Sequence, residues 1–420
     1  MKYGLIGEKL GHSFSKTVHR RLFDYEYELK EIPPDKLDDF LRRADFKAIN
    51  VTIPYKRAVI PYLDEIEETA ARIGAVNTIL NRGGRLIGFN TDLSGMQALL
   101  AKNGIVLRGK KVLILGSGGT SATAAVLAEL LGAHAVVRVS RSEKPGFVTY
   151  VQAAEQHRDA QVILNTTPCG MYPQIGETPI SLDAFPRLEA VADAIYNPLC
   201  SALIVQAKEK GIRAVGGLYM LVAQAAFAAE KFTGIAVPGE KIDRIWREIE
   251  AEKKNAVLIG MPGSGKTTIG KLLAKDGGKR FLDTDEEIRA ETGMEIPDIF
   301  RLRGEKGFRA VEQGVIRRVA AEQSVVIATG GGAVLNRENI RLLKENGTVI
   351  WLDRPLETLA ATADRPLSSS REQLEQRYRE RYALYREAAD IRIGAAGDIP
   401  KTLRAVKEAI EHENFGFERA

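Results

Sequence analysis

Residues 260–267 read Gly-Met-Pro-Gly-Ser-Gly-Lys-Thr, and this segment constrains the fold more than any other part of the chain. It follows a short apolar run, Ala256–Gly260, and precedes a helical pattern, as the Walker A motif requires. Glycines there let main-chain N–H groups point at phosphate oxygens, and the start of the helix adds a positive dipole. The segment predicts a nucleoside triphosphate site, where Lys266 reaches the β- and γ-phosphates and Thr267 binds Mg²⁺. The alternative is a glycine-rich turn that only connects a strand to a helix.

Three features downstream point to the group that accepts the phosphate. Asp283-Thr284-Asp285 follows a short strand, at the sheet edge where ligands bind in open α/β folds, although an aspartate there also suits a helix N-cap. Arg309 and Glu312 share one helical face, as many solvated surface pairs do. Thr329–Gly332 contains three consecutive glycines, which fit a ligand that approaches the main chain closely.

Residues 255–415 resemble shikimate kinase, a small P-loop enzyme of the nucleoside-monophosphate-kinase type. The matching segments are Gly260–Thr267, Asp283–Asp285, Ile299-Phe300, Gly304-Glu305, Phe308-Arg309, Gly330–Gly332, Asp364–Leu367, and Arg381 before Leu384-Tyr385. The resemblance implies that ATP contacts Gly263, Ser264, Gly265, Lys266, Thr267, Thr268, Arg365 and a lid arginine, for which Arg371 is the nearest candidate. It implies that shikimate contacts Asp285, Arg309, Gly330, Gly331, Gly332 and Arg381. Lys266 and Asp285 are then the catalytic residues, Thr267 and Asp283 hold Mg²⁺, and Glu312 orients Arg309.

The lid region departs from this family's pattern. Ser368-Ser369-Ser370 replaces a longer lid, and Ala383 stands where the family usually has proline. Gluconate kinases share the phosphate segment. The triple glycine and the two arginines at carboxylate-binding positions, Arg309 and Arg381, favour a carboxylated ring as substrate.

A second glycine-rich turn, Gly116–Ser121, follows the apolar run Lys111–Leu115 and opens an alanine-rich helical pattern. It has the first two glycines of the dinucleotide fingerprint but Ser121 at the last position, so a turn without a nucleotide is the alternative. The next strand pattern ends in Ser140-Arg141-Ser142 without an acidic residue, which favours the 2′-phosphate of NADP. We therefore expect NADP(H) to contact Gly116, Ser117, Gly118, Gly119, Thr120, Ser140, Arg141 and Ser142.

Lys56 and Asp92 lie upstream, and each follows a predicted strand closely. Lys56 ends the segment Asn50–Lys56, and Asp92 ends Asn90-Thr91-Asp92. A lysine and a carboxylate that converge on a substrate hydroxyl form an acid–base pair, which contributes about 10²–10⁴ in rate. The alternatives are a solvated surface lysine and an aspartate that caps the helix over Leu93–Leu100.

Residues 1–250 resemble shikimate dehydrogenase. The matching segments are Gly11–Ser15 with His19, Asn50–Lys56, Gly74–Thr78, Asn90–Asp92, the turn at Gly116, Asn165–Thr167, Tyr196–Pro198 and Gly217 through Gln224. The resemblance implies that Lys56 and Asp92 are the catalytic pair and also contact the substrate. It implies further substrate contacts from Ser13 and Ser15 to the carboxylate, from Asn77 and Gln224 to ring hydroxyls, and from Thr52. Lys16 departs from the pattern, since proline usually follows the second serine.

The chain length of 420 residues allows two to three domains, and the alternation of strands and helices restarts three times. We predict an α/β fold with three parts. An α/β substrate domain covers 1–100, with a helix near 239–252 packing back on it, and a Rossmann NADP-binding domain covers 101–252. A P-loop α/β domain of the nucleoside-monophosphate-kinase type covers 255–420.

Composition narrows the partners and the compartment. The net charge of +5, from 60 basic and 55 acidic residues, suits small anionic ligands and does not indicate nucleic-acid binding. Two cysteines, Cys169 and Cys200, favour a reducing compartment over a disulfide framework. The chain shows no apolar run of membrane-spanning length and no signal-peptide pattern, so we expect a cytoplasmic protein with small-molecule substrates. The oligomeric state is left open.

The two resemblances name consecutive reactions. They predict a bifunctional enzyme that reduces 3-dehydroshikimate to shikimate with NADPH and then phosphorylates shikimate to shikimate 3-phosphate with ATP. The alternatives are a regulator that senses metabolites with the same folds, and a chain in which only one half is active. A sensor has no need of Lys56, Asp92 or Lys266, and their presence argues against it.

Overall fold

The computed structural model describes residues 1–11, 13–359, 371–395 and 398–415. Its contacts divide the chain into two compact units. Unit 1 comprises Met1–Cys169, Thr178–Tyr196 and Gln206–Glu248, and unit 2 comprises Gly170–Glu177, Asn197–Val205 and Ile249–Ala420. The finer boundaries at residues 100, 252 and 255 stay predictions.

Unit 1 contains two sheets, and the first has six strands. They are β1 (Tyr3–Gly7), β2 (Glu28–Glu31), β3 (Ala48–Val51), β4 (Glu65–Ile66), β5 (Thr78–Arg82) and β6 (Arg85–Phe89). The helices of this region are α1 (Ser15–Leu22), α2 (Leu37–Arg43), α3 (Glu68–Ile73) and α4 (Thr91–Lys102). The strand order is β2-β1-β3-β5-β6-β4, with β5 antiparallel to both β3 and β6.

This sheet brings three chain segments to one edge. β3 is buried along its whole length between β1 and β5, as its apolar residues Ile49 and Val51 require. Because β5 is antiparallel to its neighbours, the start of β5 lies beside the ends of β3 and β6. The turn after β3, residue 77 before β5 and the start of α4 after β6 therefore meet there.

The second sheet of unit 1 consists of parallel strands. They are β7 (Lys111–Leu115), β8 (Ala135–Ser140), β9 (Val148–Thr149), β10 (Val162–Asn165), β11 (Ala190–Asp193) and β12 (Arg213–Val215). The helices that follow along the chain are α5 (Gly119–Leu130), α6 (Tyr150–Gln156), α7 (Ala202–Glu209), α8 (Leu218–Thr233) and α9 (Gly239–Lys253). The order β12-β11-β10-β7-β8-β9 is that of the Rossmann fold, with its switch point between β7 and β10. The predicted fold of this region is confirmed.

α9 lies in the region where the sequence predicts a helix that packs back on the N-terminal domain. The Lys241 ammonium donates to the main-chain oxygen of Leu22, at the end of α1. Asp243 accepts from Lys102 at the end of α4 and from Tyr219 in α8, at 2.8 Å and 2.9 Å. Helices from both ends of unit 1 are thus joined by polar contacts.

Unit 2 contains a parallel five-stranded sheet. Its strands are β13 (Asn255–Ile259), β14 (Arg280–Asp283), β15 (Val325–Ala328), β16 (Gly347–Asp353) and β17 (Ile391–Gly394), in the order β14-β15-β13-β16-β17. The helices are α10 (Lys266–Asp276), α11 (Thr284–Thr292), α12 (Ile296–Ala321), α13 (Arg337–Asn346), α14 (Arg371–Ala388) and α15 (Ile399–Phe415). Gly304 kinks α12, with φ 65° and ψ 179°. A parallel sheet with a glycine-rich turn after its central strand is the P-loop fold that the sequence predicts.

Short 3₁₀ helices occupy Pro34–Lys36, Ile60–Tyr62, Leu182–Ala184, Ala333–Leu335 and Leu356–Thr358. Cys169 and Cys200 are not joined to each other by a disulfide bond. In the described ranges, no helix is both long enough and apolar enough to cross a membrane.

Candidate active sites

Lys56 and Asp92 form an ion pair. The Lys56 Nζ donates to Asp92 Oδ2 at 2.5 Å, and the two side chains are 16% and 10% exposed. The Lys56 carbonyl accepts from the main-chain N–H of Val76 at 2.8 Å, which holds the turn after β3 in place. The two residues predicted to form an acid–base pair therefore lie within proton-transfer distance of each other.

Asn90, and not Asp92, caps α4. The Asn90 side chain accepts from the main-chain N–H of Leu93 at 3.2 Å, and its Nδ2 donates to the Ala75 carbonyl at 2.8 Å. Asp92 lies one position inside the first turn of the helix. The alternative interpretation of Asp92 as the helix cap is wrong, and its carboxylate is free of that role and meets Lys56.

Asn77 is part of a buried hydrogen-bond network at the same sheet edge. Its Oδ1 accepts from the main-chain N–H of Thr91 at 2.7 Å, and its Nδ2 donates to Thr91 Oγ1 at 3.1 Å. Asn77 is 3% exposed, and Thr91 precedes Asp92 directly. The predicted hydroxyl-binding amide and the proton-transfer pair are therefore held by neighbouring residues.

The other predicted dehydrogenase contacts lie in three places. Ser15 begins α1 and is buried, and its main-chain N–H donates to Ser13 Oγ at 3.3 Å. The half-buried Thr52 donates its main-chain N–H to the Ile6 carbonyl at 3.0 Å. Gln224 lies on α8, and its Nε2 donates to the Leu221 carbonyl at 2.9 Å.

α4 and α8 approach each other closely at Gly95. A Cβ at this position would lie 2.7 Å from Gln224 Cβ and 2.7 Å from the Met220 carbonyl oxygen, which is closer than real Cβ contacts come. Only glycine therefore fits, and the helix that carries Asp92 is packed backbone to backbone on the helix that carries Gln224. Sequence reasoning missed this position.

The turn at Gly116 fits the pyrophosphate of a dinucleotide. Gly116 has φ 115°, which favours glycine, and a Cβ there would come within 2.7 Å of Thr166 Oγ1. Gly118 is the N-cap residue of α5, so the turn ends at a helix N-terminus. Ser121, the departure from the fingerprint, is fully buried and donates to the Gly116 carbonyl at 2.6 Å, which stabilises the turn.

Gly119 lies beside the acid–base pair. A Cβ at Gly119 would lie 3.8 Å from Cδ of Lys56 and 3.8 Å from Cβ of Ala75. The predicted nucleotide turn thus lies beside the lysine predicted to be catalytic, as hydride transfer to a carbonyl carbon and proton transfer to its oxygen require.

The predicted 2′-phosphate residues lie at the end of β8. Ser140 is buried and its Oγ accepts from the Ser142 main-chain N–H at 3.4 Å, while Arg141 and Ser142 are exposed. Lys144, which sequence reasoning did not single out, donates to Ser117 Oγ at 3.1 Å. It adds a cation at Ser117 in the glycine turn. In the local sequence, only its position three residues after Arg141 indicates that Lys144 could contact the same cofactor.

The Walker segment forms a cradle between β13 and α10. Gly265, the N-cap residue of α10, has φ 96°. Lys266 is 8% exposed, and its Nζ donates to the carbonyls of Gly260 and Met261 at 2.9 Å each. Ser264 is buried and Thr268 is exposed on the first turn of α10. Two main-chain carbonyls of the turn therefore hold the Lys266 ammonium within the Walker segment.

Thr267 and Asp283 meet as the metal prediction requires. The Thr267 hydroxyl donates to Asp283 Oδ2 at 2.8 Å. The other oxygen of Asp283 caps α11 by accepting from the main-chain N–H of Asp285 at 3.0 Å. The alternative interpretation as an N-cap thus holds for Asp283, but not for Asp285.

Asp285 and Glu312 lie beside Gly330, the first glycine of the triple-glycine loop, and Glu312 pairs with Arg309. Arg309 pairs with Glu312 at 2.7 Å and with Glu305 at 3.3 Å. A Cβ at Gly330 would lie 2.7 Å from Asp285 Oδ1 and 3.3 Å from Glu312 Oε1. Burial raises the pKa of Glu312, and the charge of Arg309 opposes this rise. The acidic and basic groups expected at a carboxylated, hydroxylated substrate do converge here.

The second half of the loop is fixed by α14. Arg381, 6% exposed, donates to the Gly331 carbonyl at 2.9 Å, and the buried Tyr385 donates to the same oxygen at 2.6 Å. The Arg309 guanidinium lies against Gly332, where a Cβ would come within 2.8 Å of Cζ. Tyr385 was part of the matching motif, but no role was predicted for it.

Of the residues predicted in and around the lid, the structure describes Arg371 but not Arg365. Arg371, the first residue of α14, pairs with Glu375 at 3.1 Å and donates to the Leu359 carbonyl at 3.2 Å. Arg365 and the serines at 368–370 lie outside the described residues. Arg354, which sequence reasoning missed, donates to the carbonyl of Gly263 in the Walker turn at 3.1 Å.

Comparisons with known protein families match two parts of the chain. Residues 5–79 match the model of the shikimate dehydrogenase substrate binding domain, and residues 262–411 match the model of shikimate kinase. A Clostridium perfringens shikimate dehydrogenase (NADP(+)) is 35% identical over 265 residues, covering 59% of this chain and 98% of that protein. A protein of the same name from Halothermothrix orenii is 40% identical over 262 residues, covering 55% of this chain and 90% of that protein.

Solved structures resemble the N-terminal part. A chorismate mutase/shikimate 5-dehydrogenase fusion protein from Clostridium acetobutylicum has a TM-score of 0.56 and 35% identity, covering 59% of this chain and 96% of that chain. Shikimate 5-dehydrogenase from Thermus thermophilus in complex with NADP(H) and shikimate has a TM-score of 0.54 and 29% identity, covering 59% of this chain and 99% of that chain.

Proposed function

This chain belongs to the shikimate dehydrogenase family and carries a shikimate kinase domain, and from that premise we propose how its residues perform both reactions. The enzyme is bifunctional: it reduces 3-dehydroshikimate to shikimate with NADPH and phosphorylates shikimate with ATP. The observation that carries the dehydrogenase assignment is the 2.5 Å Lys56–Asp92 pair beside the nucleotide turn. The cradle around Lys266 carries the kinase assignment.

In the dehydrogenase, Lys56 supplies the proton. The Lys56 ammonium donates a proton to the carbonyl oxygen as the carbonyl carbon is reduced, and the neutral amine takes the proton back in the reverse reaction. Asp92 orients Nζ through the 2.5 Å contact. Ser13 and Ser15 bind the carboxylate, while Asn77, Gln224 and Thr52 contact the rest of the ring.

The glycine turn and the end of β8 fit NADP(H). Gly116, Ser117, Gly118, Gly119 and Thr120 place main-chain N–H groups and a helix N-terminus at the pyrophosphate. Ser140, Arg141 and Ser142 fit the 2′-phosphate, and Lys144 adds charge beside Ser117. When bound, NADPH supplies the hydride.

In the kinase, positioning and charge neutralisation do most of the work. Asp285 accepts the proton of the attacking hydroxyl, and Arg309 and Arg381 hold the substrate carboxylate. The main chain of Gly330–Gly332 lines the pocket, where side chains would clash with Asp285 and Arg309. Lys266 binds the phosphates, together with Gly263, Ser264, Gly265, Thr267, Thr268, Arg365 and Arg371.

The donor set around Thr267 fits Mg²⁺ and not a metal held by protein ligands alone. Thr267 Oγ1 and Asp283 Oδ2 lie 2.8 Å apart, and both are the hard oxygen donors that Mg²⁺ prefers. Among the described residues, no group of three or more His, Cys, Asp or Glu side chains has metal-binding geometry. The remaining ligands would come from ATP and water, and the bound ion would neutralise phosphate charge.

The proposed function comes with proposed domain boundaries, a cellular location and a class of partners. We place the substrate domain at 1–100, the NADP domain at 101–252 and the kinase domain at 255–420. Location in the cytoplasm is supported by two cysteines that form no disulfide with each other and by the need for NADPH and ATP. The partners are small molecules; the charge balance of +5 favours anionic substrates over nucleic acid.

A coupled assay tests the function. Purified full-length protein receives 3-dehydroshikimate, NADPH and ATP with Mg²⁺, and the products are separated by mass. We expect NADPH consumption and shikimate 3-phosphate. Accumulation of shikimate without phosphate would overturn the kinase assignment. Phosphorylation of added shikimate without NADPH oxidation would overturn the dehydrogenase assignment, and binding without turnover of either substrate would favour a metabolite sensor.

A further inference from the structure

Asn77 lies at one end of a buried chain of polar side chains. The other members of this chain have no role in the mechanism above. The Tyr27 hydroxyl donates to Asn50 Oδ1 at 2.8 Å. Asn50 Nδ2 donates in turn to Thr78 Oγ1 at 3.1 Å and to the Asn77 carbonyl at 3.3 Å. Tyr27, Asn50, Asn77 and Thr78 are 1%, 5%, 3% and 0% exposed, so these groups are shielded from bulk water. Buried networks of this kind gain strength and rigidity from the low local dielectric.

The chemistry of the partners fixes which end of the Asn77 amide is the oxygen and which is the nitrogen. A main-chain N–H can only donate, so the Asn77 atom 2.7 Å from the Thr91 nitrogen is the oxygen Oδ1. Thr78 Oγ1 accepts from Asn50, and its own hydrogen is then directed to Asn77 Oδ1 at 3.1 Å or to Thr91 Oγ1 at 3.2 Å. Exchanging the two ends of the Asn77 amide would put an NH₂ group against the Thr91 N–H.

Asn77 Nδ2 is therefore the end of the amide left for a ligand. One of its two hydrogens is directed to Thr91 Oγ1 at 3.1 Å. Within the described residues, Thr91 Oγ1 is the one hydrogen-bond acceptor of this nitrogen, so the second N–H of Nδ2 is left over. An N–H presented to a ring hydroxyl binds the hydroxyl oxygen and leaves the hydroxyl hydrogen for another partner.

We propose that Tyr27, Asn50, Thr78 and Thr91 are positioning residues that lock the Asn77 amide with its N–H group toward the substrate. The proposal rests on the proposed role of Asn77 in binding a ring hydroxyl. It makes this subsite specific for an oxygen that accepts a hydrogen bond. An ammonium group at the same ring position would be rejected, because both sides would then be donors.

Thr78→Val and Thr78→Ser test the network. The valine removes the hydroxyl that joins Asn50 to Asn77, and the serine keeps it. We expect Thr78→Val to raise the KM for shikimate about tenfold with the KM for NADP unchanged, and Thr78→Ser to restore most of the loss. Tyr27→Phe, at the far end of the chain, should cause a smaller rise in the same direction. Thr233→Val, which removes a half-buried hydroxyl at the end of α8, is the matched control and should leave both KM values unchanged.

Asn77→Asp tests the direction of the amide. The carboxylate can still accept from the Thr91 N–H and the Thr78 hydroxyl, but it presents an oxygen where Nδ2 stood. We expect it to lose as much shikimate affinity as Asn77→Ala. A KM within about threefold of the parent enzyme would overturn the orientation, because it would mean that an acceptor serves there as well as a donor.

The outcomes distinguish the role of Asn77 in binding shikimate from the role of the network in holding Asn77. An unchanged KM for shikimate in Asn77→Ala would refute the proposed role of Asn77 itself. A raised KM in Asn77→Ala with a normal KM in Thr78→Val would leave that role intact and refute the network. Equal changes in the KM values for shikimate and NADP, together with a lower Tm, would indicate a merely structural hydroxyl and also refute it. Should Thr78→Val fail to fold, Tyr27→Phe and Asn77→Asp decide the question.

Discussion

The two lysines that we assign to catalysis are held in different ways. Lys56 is paired with the carboxylate of Asp92 at 2.5 Å. Lys266 donates to two neutral carbonyls of its own turn, those of Gly260 and Met261. A carboxylate orients an ammonium and offsets its charge, whereas carbonyl oxygens orient it and leave its charge in place.

This difference follows the chemistry that each site performs. Proton transfer needs one nitrogen held at one substrate oxygen, and a charged partner supplies that orientation. Binding of a triphosphate needs positive charge at the phosphates, and the carbonyls of Gly260 and Met261 hold the Lys266 ammonium at the turn that fits them. The dehydrogenase site is thus built around an ion pair between two chain segments, and the kinase site around a lysine bonded to the carbonyls of its own glycine-rich turn.

Lys56→Ala should produce the largest effect. Removal of the proton donor should lower the dehydrogenase kcat by about 10³-fold, because no other group takes over the proton transfer. Shikimate phosphorylation by the same molecule should be largely retained. Spectrophotometric NADPH formation from shikimate, with the kinase assayed in parallel, measures both.

Lys111→Ala is the matched control for this change. Lys111 forms a comparable ion pair with Asp159 at 2.7 Å, away from the substrate contacts. Its replacement should leave dehydrogenase activity near that of the parent enzyme. Loss of activity in both variants, or in neither, would contradict a special role for Lys56.

Lys266→Ala should produce the second largest effect. It should lower the kinase kcat by about 10²–10³-fold, since the charge that stabilises the transferred phosphate is lost. NADP reduction by shikimate should continue. Lys279→Ala, which removes a half-buried lysine of unit 2 that is also bonded to a main-chain carbonyl, is the control. Full phosphorylation by Lys266→Ala would break the contrast between the two lysines.

Arg141→Ala should produce a smaller and selective effect. Loss of the guanidinium should raise the KM for NADPH about tenfold and change the KM for NADH little, because only NADPH carries the 2′-phosphate. Lys144→Ala should weaken both cofactors to a similar degree, since Lys144 contacts Ser117 in the turn that fits the pyrophosphate. Equal losses of NADPH and NADH affinity in Arg141→Ala would contradict the assignment of Ser140–Ser142.

Protonation of Glu312 should cause a modest loss of kinase activity on the acid side of the pH profile, its acid limb. Burial raises the pKa of this carboxyl, so it takes up a proton at a higher pH than an exposed glutamate does. Protonation weakens the pair that orients Arg309. The kinase kcat/KM for shikimate should therefore fall severalfold as the pH is lowered through this raised pKa, with the KM for ATP unchanged.

Glu312→Gln is the comparison for the pH profile. The amide cannot titrate, so the variant should start from a lower kcat/KM at neutral pH and lose the Glu312-dependent part of the acid limb. The dehydrogenase activity of the same sample serves as the internal reference. Identical acid limbs in both proteins would show that a different group titrates.

The architecture was predictable because it has local signals. A glycine turn after an apolar strand appears twice, at Gly116 and Gly260, and both turns lie where the sequence predicted them. Which residue caps α4 was not predictable. Asparagine and aspartate both favour the N-cap position, and only the fold selects Asn90 over Asp92. Lys144, Arg354 and Tyr385 were missed because their partners lie 27, 91 and 54 residues away, and no local pattern encodes such contacts.

Gly95 limits how this enzyme can acquire new substrates. Because α4 and α8 touch backbone to backbone there, the spacing between the Asp92 helix and the Gln224 helix cannot be widened or narrowed by small steps. A larger or differently substituted ring would have to be accommodated by changing side chains at the pocket wall. Evolution or engineering of substrate range should therefore act through residues such as Asn77, Thr52 and Gln224, and leave the glycine untouched.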